Sequence, residues 1–215
     1  ELLTFLVERA FADVVQYQVF KQTVADQLQV QISPTAIINA ALTLLGVEAV
    51  ALSATPLSSV DPHEPTGSSP FAAFDGLIYE GGAVNGVVTA MDFTLSRNRS
   101  LQPVVGSRFS PDTFEGTARI AGTLSVFFQN ATQFNKFVNE TESSIWNRFQ
   151  DPDSASDFIN IVFPRVKYAG AGMDPPQEGP IVSEMPFRAL KATGLNVPGG
   201  TTRNTSMFIQ RSNVD

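Results

Sequence analysis

The sequence predicts a mainly β protein, built from antiparallel sandwich- or barrel-like units with one flanking helix, and three observations carry that expectation. From Gly116 to Phe128, Ala118, Ile120, Gly122, Leu124, Val126 and Phe128 share one side, while Thr117, Arg119, Ala121, Thr123 and Ser125 share the other. That is the period of two that a pleated strand imposes. The same alternation recurs along the chain between Gly- and Pro-rich turns, the pattern of antiparallel strands with one dry face and one wet face. A single segment departs from it: Phe134, Phe137 and Val138 stand at i, i+3 and i+4, which is helical spacing.

In order along the chain, residues 1–20 hold apolar positions at Phe5, Val7, Phe11, Val14, Val15, Tyr17 and Phe20. From Val24 to Ile32, Val24, Asp26, Leu28, Val30 and Ile32 alternate with Ala25, Gln27, Gln29 and Gln31. The glutamines mark a solvated face, and Ser33-Pro34 ends the strand. Ile37 to Leu45 alternates again and is closed by Gly46, so these two neighbours predict a hairpin. Residues 52–70 are rich in Pro, Ser and Thr, unable to form a core, and read as a linker. The expected organisation is therefore residues 1–51 as the C-terminal part of a first β unit, 52–70 as linker, and 71–215 as a second β unit.

The second unit opens with a strand from Phe71 to Tyr79 and a turn at Gly81-Gly82. A long strand from Val84 to Ser96 follows, with Val87, Thr89, Met91, Phe93 and Leu95 on one face and Asp92, Thr94 and Ser96 on the other. A polar loop leads to the strand from Gly116. Asn130 or Thr132 is placed to cap a helix near 131–141. Strands are expected at Ile145–Phe149, at Phe158–Phe163 ended by Pro164, at Ile181–Ala189 and at Ser206–Gln210. Phe5-Leu-Val-Glu-Arg9 and Ile161-Val-Phe-Pro-Arg165 form a faint internal repeat, each followed by a strand.

The 215 residues are 43% hydrophobic and carry a formal net charge of −7. An acidic chain argues against a nucleic-acid-binding surface of the usual kind, which needs clustered Lys and Arg. There is no cysteine, hence no disulfide framework and no thiolate metal site. The longest apolar run, near Ala40 to Leu52, is broken by Thr43, Gly46 and Glu48 and is too short to span a bilayer as a helix. The chain opens mid-pattern at Glu1, so the first unit is expected to start upstream of it.

Candidate chemistry is sparse. His63, the sole histidine, sits between Asp61 and Glu64 with no second His or Cys to share a metal; a solvated loop residue is the plainer reading. Asp151, Asp153 and Asp157 suggest a calcium loop, but Ser156 and Val162 stand where that loop needs Gly and Glu. Gly81-Gly82 and Gly199-Gly200 lack the lysine and helix of a phosphate loop. Asn98, Asn130, Asn139 and Asn204 begin glycosylation sequons, a pattern common by chance. Asp112, Glu115, Glu140 and Glu142 could supply a carboxylate pair, yet nothing in the sequence brings them together. No catalytic constellation, cofactor site or metal site is expected.

A resemblance adds a function. Thr89–Ser96, Val105–Ser107, Gly116 with Ala121–Phe128, Phe134–Ser144, Phe163–Tyr168 and Met185–Ala189 together resemble the major tail tube proteins of long, non-contractile-tailed bacteriophages of the siphophage type. Val7–Asp13 and Leu28–Ile32 extend the likeness into the first half. The resemblance implies a structural virion protein, not an enzyme. Its strands would join those of neighbours into a ring-shaped β-barrel, and stacked rings would form the conduit for DNA ejection. Implied partners are further copies of the chain, the tape measure, terminator and distal tail proteins, and double-stranded DNA passing without specific binding. Members of the family carry an additional N-terminal portion that completes the first unit.

Combined with the alternation, this reading places Gln27, Gln29, Gln31, Asp92, Thr94, Ser96, Arg119, Thr123 and Ser125 on the lumen. Two duplicated units per protomer predict a trimeric ring with pseudo-sixfold symmetry in preference to a hexamer. Another virion ring protein, such as a tail terminator or a contractile-tail inner tube, is the neighbouring alternative. A carbohydrate-binding β-sandwich is the alternative from another class, and it would need exposed Trp and Tyr platforms in a chain with one Trp and three Tyr.

Overall fold

In the computed structural model the described residues are 3–57, 71–73, 76–151, 154–173, 178–197 and 201–212. The elements are β1 (Phe5–Phe11), β2 (Gln16–Ile32), β3 (Asn39–Leu45), β4 (Glu48–Ala49), β5 (Gly76–Glu80), β6 (Ala83–Val84), β7 (Val88–Ser96), β8 (Ser100–Leu101), β9 (Thr113–Phe114), β10 (Arg119–Phe127), α1 (Thr132–Val138), β11 (Ser143–Asp151), β12 (Ser154–Tyr168), β13 (Gly172–Met173), β14 (Val182–Ala189), β15 (Ala192–Val197), β16 (Thr201–Thr205) and β17 (Phe208–Arg211). The fold is mainly β, with antiparallel pairing and a single helix among the described residues. Residues 58–70 of the Pro/Ser/Thr-rich stretch, His63 among them, lie outside the described residues, as does Asp153.

The chain divides into two compact units that interleave along the sequence: residues 1–28, 41–68 and 96–118 form one, and residues 29–40, 69–95 and 119–215 the other. In the first unit β1 pairs antiparallel with β2, Val7 opposite Phe20 and Phe11 opposite Gln16, with a bulge between Phe5 and Val7. β4 adds to β2 through Phe20 opposite Ala49, and Ser53 bridges Tyr17 by two backbone hydrogen bonds of 2.9 and 3.0 Å. β8 and β9 make a short hairpin. The Arg99 guanidinium donates to the carbonyl of Ala25 and to Glu115 Oε1 at 2.9 Å, while Asp26 accepts from the Arg99 amide at 2.8 Å. Asp26 shares the strand face of Val24 and Val30, and this bond is how a half-buried carboxylate is tolerated there.

The second unit is one antiparallel sheet in the order β7-β10-β14-β12-β11-β5-β6, with β13 added to β14 and β17 to β12. Its core face is a set of alternate residues: Met91 and Phe93, Ile120, Leu124 and Val126, Met185 and Phe187, Phe163, Ile145 and Phe149, all buried. Phe93 and Phe163 stand three strands apart in the sheet, about 14 Å if it were flat. Their ring centroids are 4.9 Å apart, and Phe163 and Phe187 are at 5.8 Å. The sheet must therefore curl so that its apolar face closes on itself. Gly122 permits this curl. A Cβ there would lie 2.2 Å from the Asp92 carbonyl oxygen and 2.8 Å from both Phe187 and Phe93.

Several boundaries move from the sequence expectation. β12 does not stop at Pro164; it continues to Tyr168 because the proline falls at a bulge opposite β11, where the ladder skips between Ser143 and Ile145 and no donor is missed. The helix spans Thr132–Val138, shorter than 131–141. Its N-cap is Ala131 without a side-chain cap, and Asn130 instead accepts from the Thr132 amide at 2.9 Å. The β15–β16 hairpin has no counterpart in the sequence reading. β3 pairs with β2, in keeping with the expected hairpin.

Candidate functional site

The surface that the alternation singles out is the wet face of β7, β10 and β14. β10 exposes or half-exposes Arg119, Ala121, Thr123 and Ser125 while burying Ile120, Leu124 and Val126. β14 does the same with Glu184, Pro186 and Arg188 against Ser183, Met185 and Phe187. The register sets Ser125 opposite Glu184, Thr123 opposite Pro186 and Ala121 opposite Arg188. The centre of this face is thus small and uncharged, and its charges stand toward the ends. On β7, Asp92 is exposed between buried Met91 and Phe93, and Thr94 and Ser96 are half-buried. On β2, Gln27 and Gln29 are half-buried and Gln31 is exposed, while Val24, Val30 and Ile32 are buried. None of the nine residues singled out is buried. Thr94, Asp92, Arg119, Thr123, Ser125, Gln29 and Gln31 belong to the second unit, and Gln27 and Ser96 to the first. Partial burial, with Glu184 nearby adding like charge, raises the Asp92 carboxyl above its ordinary range.

A second constellation had no signal in the sequence. Glu80, at the end of β5, is only 6% exposed, and four side chains converge on its carboxylate. Lys136 reaches it from α1 at 2.5 and 2.7 Å, Ser143 from the start of β11 at 2.5 Å, Tyr168 from the end of β12 at 3.0 Å, and Gln133 from α1 at 3.2 Å. Burial alone would push this carboxyl up. The Lys136 and Ser143 hydrogen bonds, the Lys136 charge and the Gln133 hydrogen bond outweigh it, and the group is held below the ordinary Glu value. Tyr168 moves the other way, pushed well up by burial and then by the Glu80 charge and hydrogen bond. α1 buries none of its residues, so this polar anchor fixes it to the sheet more than apolar packing does. Beside it, a cleft of about 300 Å³ is lined by Val126–Asn130, by β6 and the segment Asn85–Val87 that follows it, and by the first turn of α1.

The remaining candidates have structural uses. Glu142 pairs with Arg165 at 2.5 Å and Glu140 with Lys167 at 3.4 Å. Glu115 lies 2.9 Å from Arg99 and 3.5 Å from Arg97. Asp112 accepts from the Thr113 amide at 2.7 Å. Asn98 donates to the Thr117 carbonyl at 2.7 Å, and Asn204 accepts from the Gly194 amide at 2.9 Å. Trp146 lies flat against Tyr79, centroids 4.6 Å apart and planes 20° off parallel, and both are half-buried, so neither ring stands clear as a sugar platform. Among the described residues no group of three or more His, Asp and Glu is placed to hold a metal ion, and no helix is long and apolar enough to cross a membrane.

The family model described as phage tail tube protein matches residues 3–189. No curated protein matches the chain.

Proposed function

This chain belongs to the phage tail tube protein family; we propose that its copies polymerise into stacked rings whose bore conducts the genome during ejection from a long, non-contractile tail. As a member of that family it is a structural protein of the virion tail. The observation that carries the proposal is the β10–β14 face, where Ala121, Thr123, Ser125 and Pro186 present small uncharged groups over buried Leu124, Val126, Met185 and Phe187. Such a surface is wet without being sticky, which suits a channel past which polyanionic DNA must slide. Gln27, Gln29, Gln31, Asp92, Thr94, Ser96, Arg119, Thr123 and Ser125 line this bore in our reading.

A second observation supports assembly. The β1–β2–β4 sheet of the first unit leaves Phe5 49% and Leu6 61% exposed, and Leu42 and Leu44 of β3 are 56% and 41% exposed. Although β2 buries Thr23 and Val24, exposed apolar groups of this density mark an interface. Neighbouring copies cover them and complete the barrel strand by strand, which also removes the open edges. Residues 1–51 and 71–215 act as two tube-like units, three protomers closing a pseudo-sixfold ring. The tape measure fills the bore before ejection, the terminator and distal tail proteins cap the ends, and the chain performs no catalysis.

Cryo-electron microscopy of tubes assembled from the purified chain tests this. Three copies per ring with Thr123 and Ser125 on the bore is the expected result. Six copies would overturn the duplication, and these side chains on the outer wall would overturn the channel assignment.

A further inference from the structure

Asn85 is the only asparagine of the chain that precedes a glycine, and the fold puts this pair where its two halves can react with each other. Asn85-Gly86-Val87 joins β6 to β7. The Asn85 amide donates to the Ile78 carbonyl at 2.8 Å, which holds the backbone at this point. The Asn85 side-chain Oδ1 accepts from the Val87 amide at 3.3 Å, an Asx turn. The ring that this bond closes contains both the Asn85 Cγ and the Gly86 nitrogen, so the carboxamide is folded back along the chain instead of extending into water. Gly86 is exposed, and a Cβ built on it would meet no atom within 4 Å. Its amide makes no hydrogen bond among the described residues.

A free backbone amide beside a polarised carboxamide is a nucleophile beside an electrophile. The Val87 N–H points at the oxygen on which negative charge develops when Cγ is attacked, the role of an oxyanion-hole donor. Glycine sets no side chain in the way and leaves the backbone free to rotate into the attack. The other asparagines lack this combination. Asn98, Asn147 and Asn204 precede Arg99, Arg148 and Thr205, whose Cβ atoms crowd the nitrogen, and Asn147 is fully buried.

We propose that Asn85 is a site of spontaneous deamidation, which converts the β6–β7 connection into a mixture of aspartyl and isoaspartyl chains. Hydroxide takes the Gly86 amide proton and the nitrogen attacks the Asn85 Cγ. The Cγ–Nδ2 bond breaks, and Nδ2 leaves as ammonia with a proton from water. Water then opens the succinimide, and nothing is oxidised or reduced. Opening at Cγ gives aspartate; opening at the main-chain carbonyl gives isoaspartate, whose backbone runs through Cγ and is longer by that carbon. Both products are ionised at neutral pH. The extra carbon falls between the amide bonded to Ile78 and the Val87 carbonyl, which accepts from the Phe127 amide at 2.9 Å. Both anchors cannot keep their places, and the start of β7 loosens from β10.

The test incubates the unassembled chain in neutral to mildly alkaline buffers, with peptide mapping by mass spectrometry and enzymatic methylation of isoaspartate as readouts. Amide loss should concentrate at Asn85, rise in proportion to hydroxide, and yield isoaspartate together with aspartate. Gly86→Ala should slow it about tenfold. Gly86 is not at positive φ and the added methyl enters open space, so this variant should keep the wild-type thermal midpoint. Because the Val87 donor is held in place only by the folded turn, the chain in guanidinium should react no faster than the folded chain. Hydrogen exchange at the Phe127 amide should accelerate in the isoaspartyl fraction separated by anion exchange. Amide loss spread evenly over the asparagines, a rate that Gly86→Ala leaves unchanged, or a chain that reacts only when denatured overturns the site. An isoaspartyl fraction with wild-type exchange at Phe127 overturns the loosening of β7.

Discussion

Replacing Lys136 by Met tests whether α1 is held by the Glu80 anchor. The Glu80 side chain is 3% exposed and that of Lys136 22%, so the variant leaves a carboxylate in a site that water barely reaches. Breaking a buried pair on one side costs about 3–5 kcal/mol. Ser143, Tyr168 and Gln133 still donate to Glu80, which places the expected loss at the lower end, about 3 kcal/mol, or ~150-fold in the unfolding equilibrium. Guanidinium denaturation of the unassembled chain near neutral pH measures it, and hydrogen exchange over Thr132–Val138 should show the helix opening.

The pH dependence carries the sign. In the wild type the folded Glu80 carboxyl is below its ordinary value, so its contribution is complete above the unfolded value of about 4.3 and is lost as pH falls through the lower folded value. Without Lys136 the burial effect dominates and the carboxyl rises instead. On acidification the variant takes up its proton first, and the gap to wild type narrows. Glu80→Gln/Lys136→Met, which buries no charge, should lose less than Lys136→Met alone. A gap under about 1 kcal/mol, or one that is constant from neutral to mildly acid pH, would refute the anchor.

Gly122→Ala should cost about 3 kcal/mol by thermal or denaturant unfolding, because its Cβ would meet the Asp92 carbonyl at 2.2 Å and two core phenylalanines at 2.8 Å, crowding that a tightly curled sheet cannot relax; a loss under about 1 kcal/mol would mean that β7 and β10 can separate freely. Asn147→Val should stabilise by about 1–2 kcal/mol, since Asn147 is 0% exposed with neither side-chain amide atom hydrogen-bonded, and a loss of stability would show that this amide is satisfied in solution.

The strand faces were legible in the sequence because a pleat alternates with a period of two wherever one side is dry. Ile120, Leu124 and Val126 are buried and Arg119, Thr123 and Ser125 are not, as the residues themselves announce. The turn at Gly81-Gly82 was legible for a backbone reason: both residues sit at positive φ, 63° and 85°, where side chains are disfavoured. Boundaries were less so. Pro164 argues for a strand end by its missing amide, yet a bulge lets β12 run through it, and a bulge depends on the partner strand.

Composition and alternation by themselves determined the class of this protein: antiparallel β, one helix, an acidic chain without thiols, and which side of each long strand meets water. The order and spacing of its segments matched the tail tube family. Only the tertiary structure decided which strands are neighbours, and so which charges share a face. Glu80 is 56 residues from Lys136 and 88 from Tyr168, and the opposition of Arg188 to Lys167 follows from β14 lying beside β12. Local sequence sets the direction of a side chain through the pleat. What that side chain meets is set by strand order and register, which no local pattern encodes.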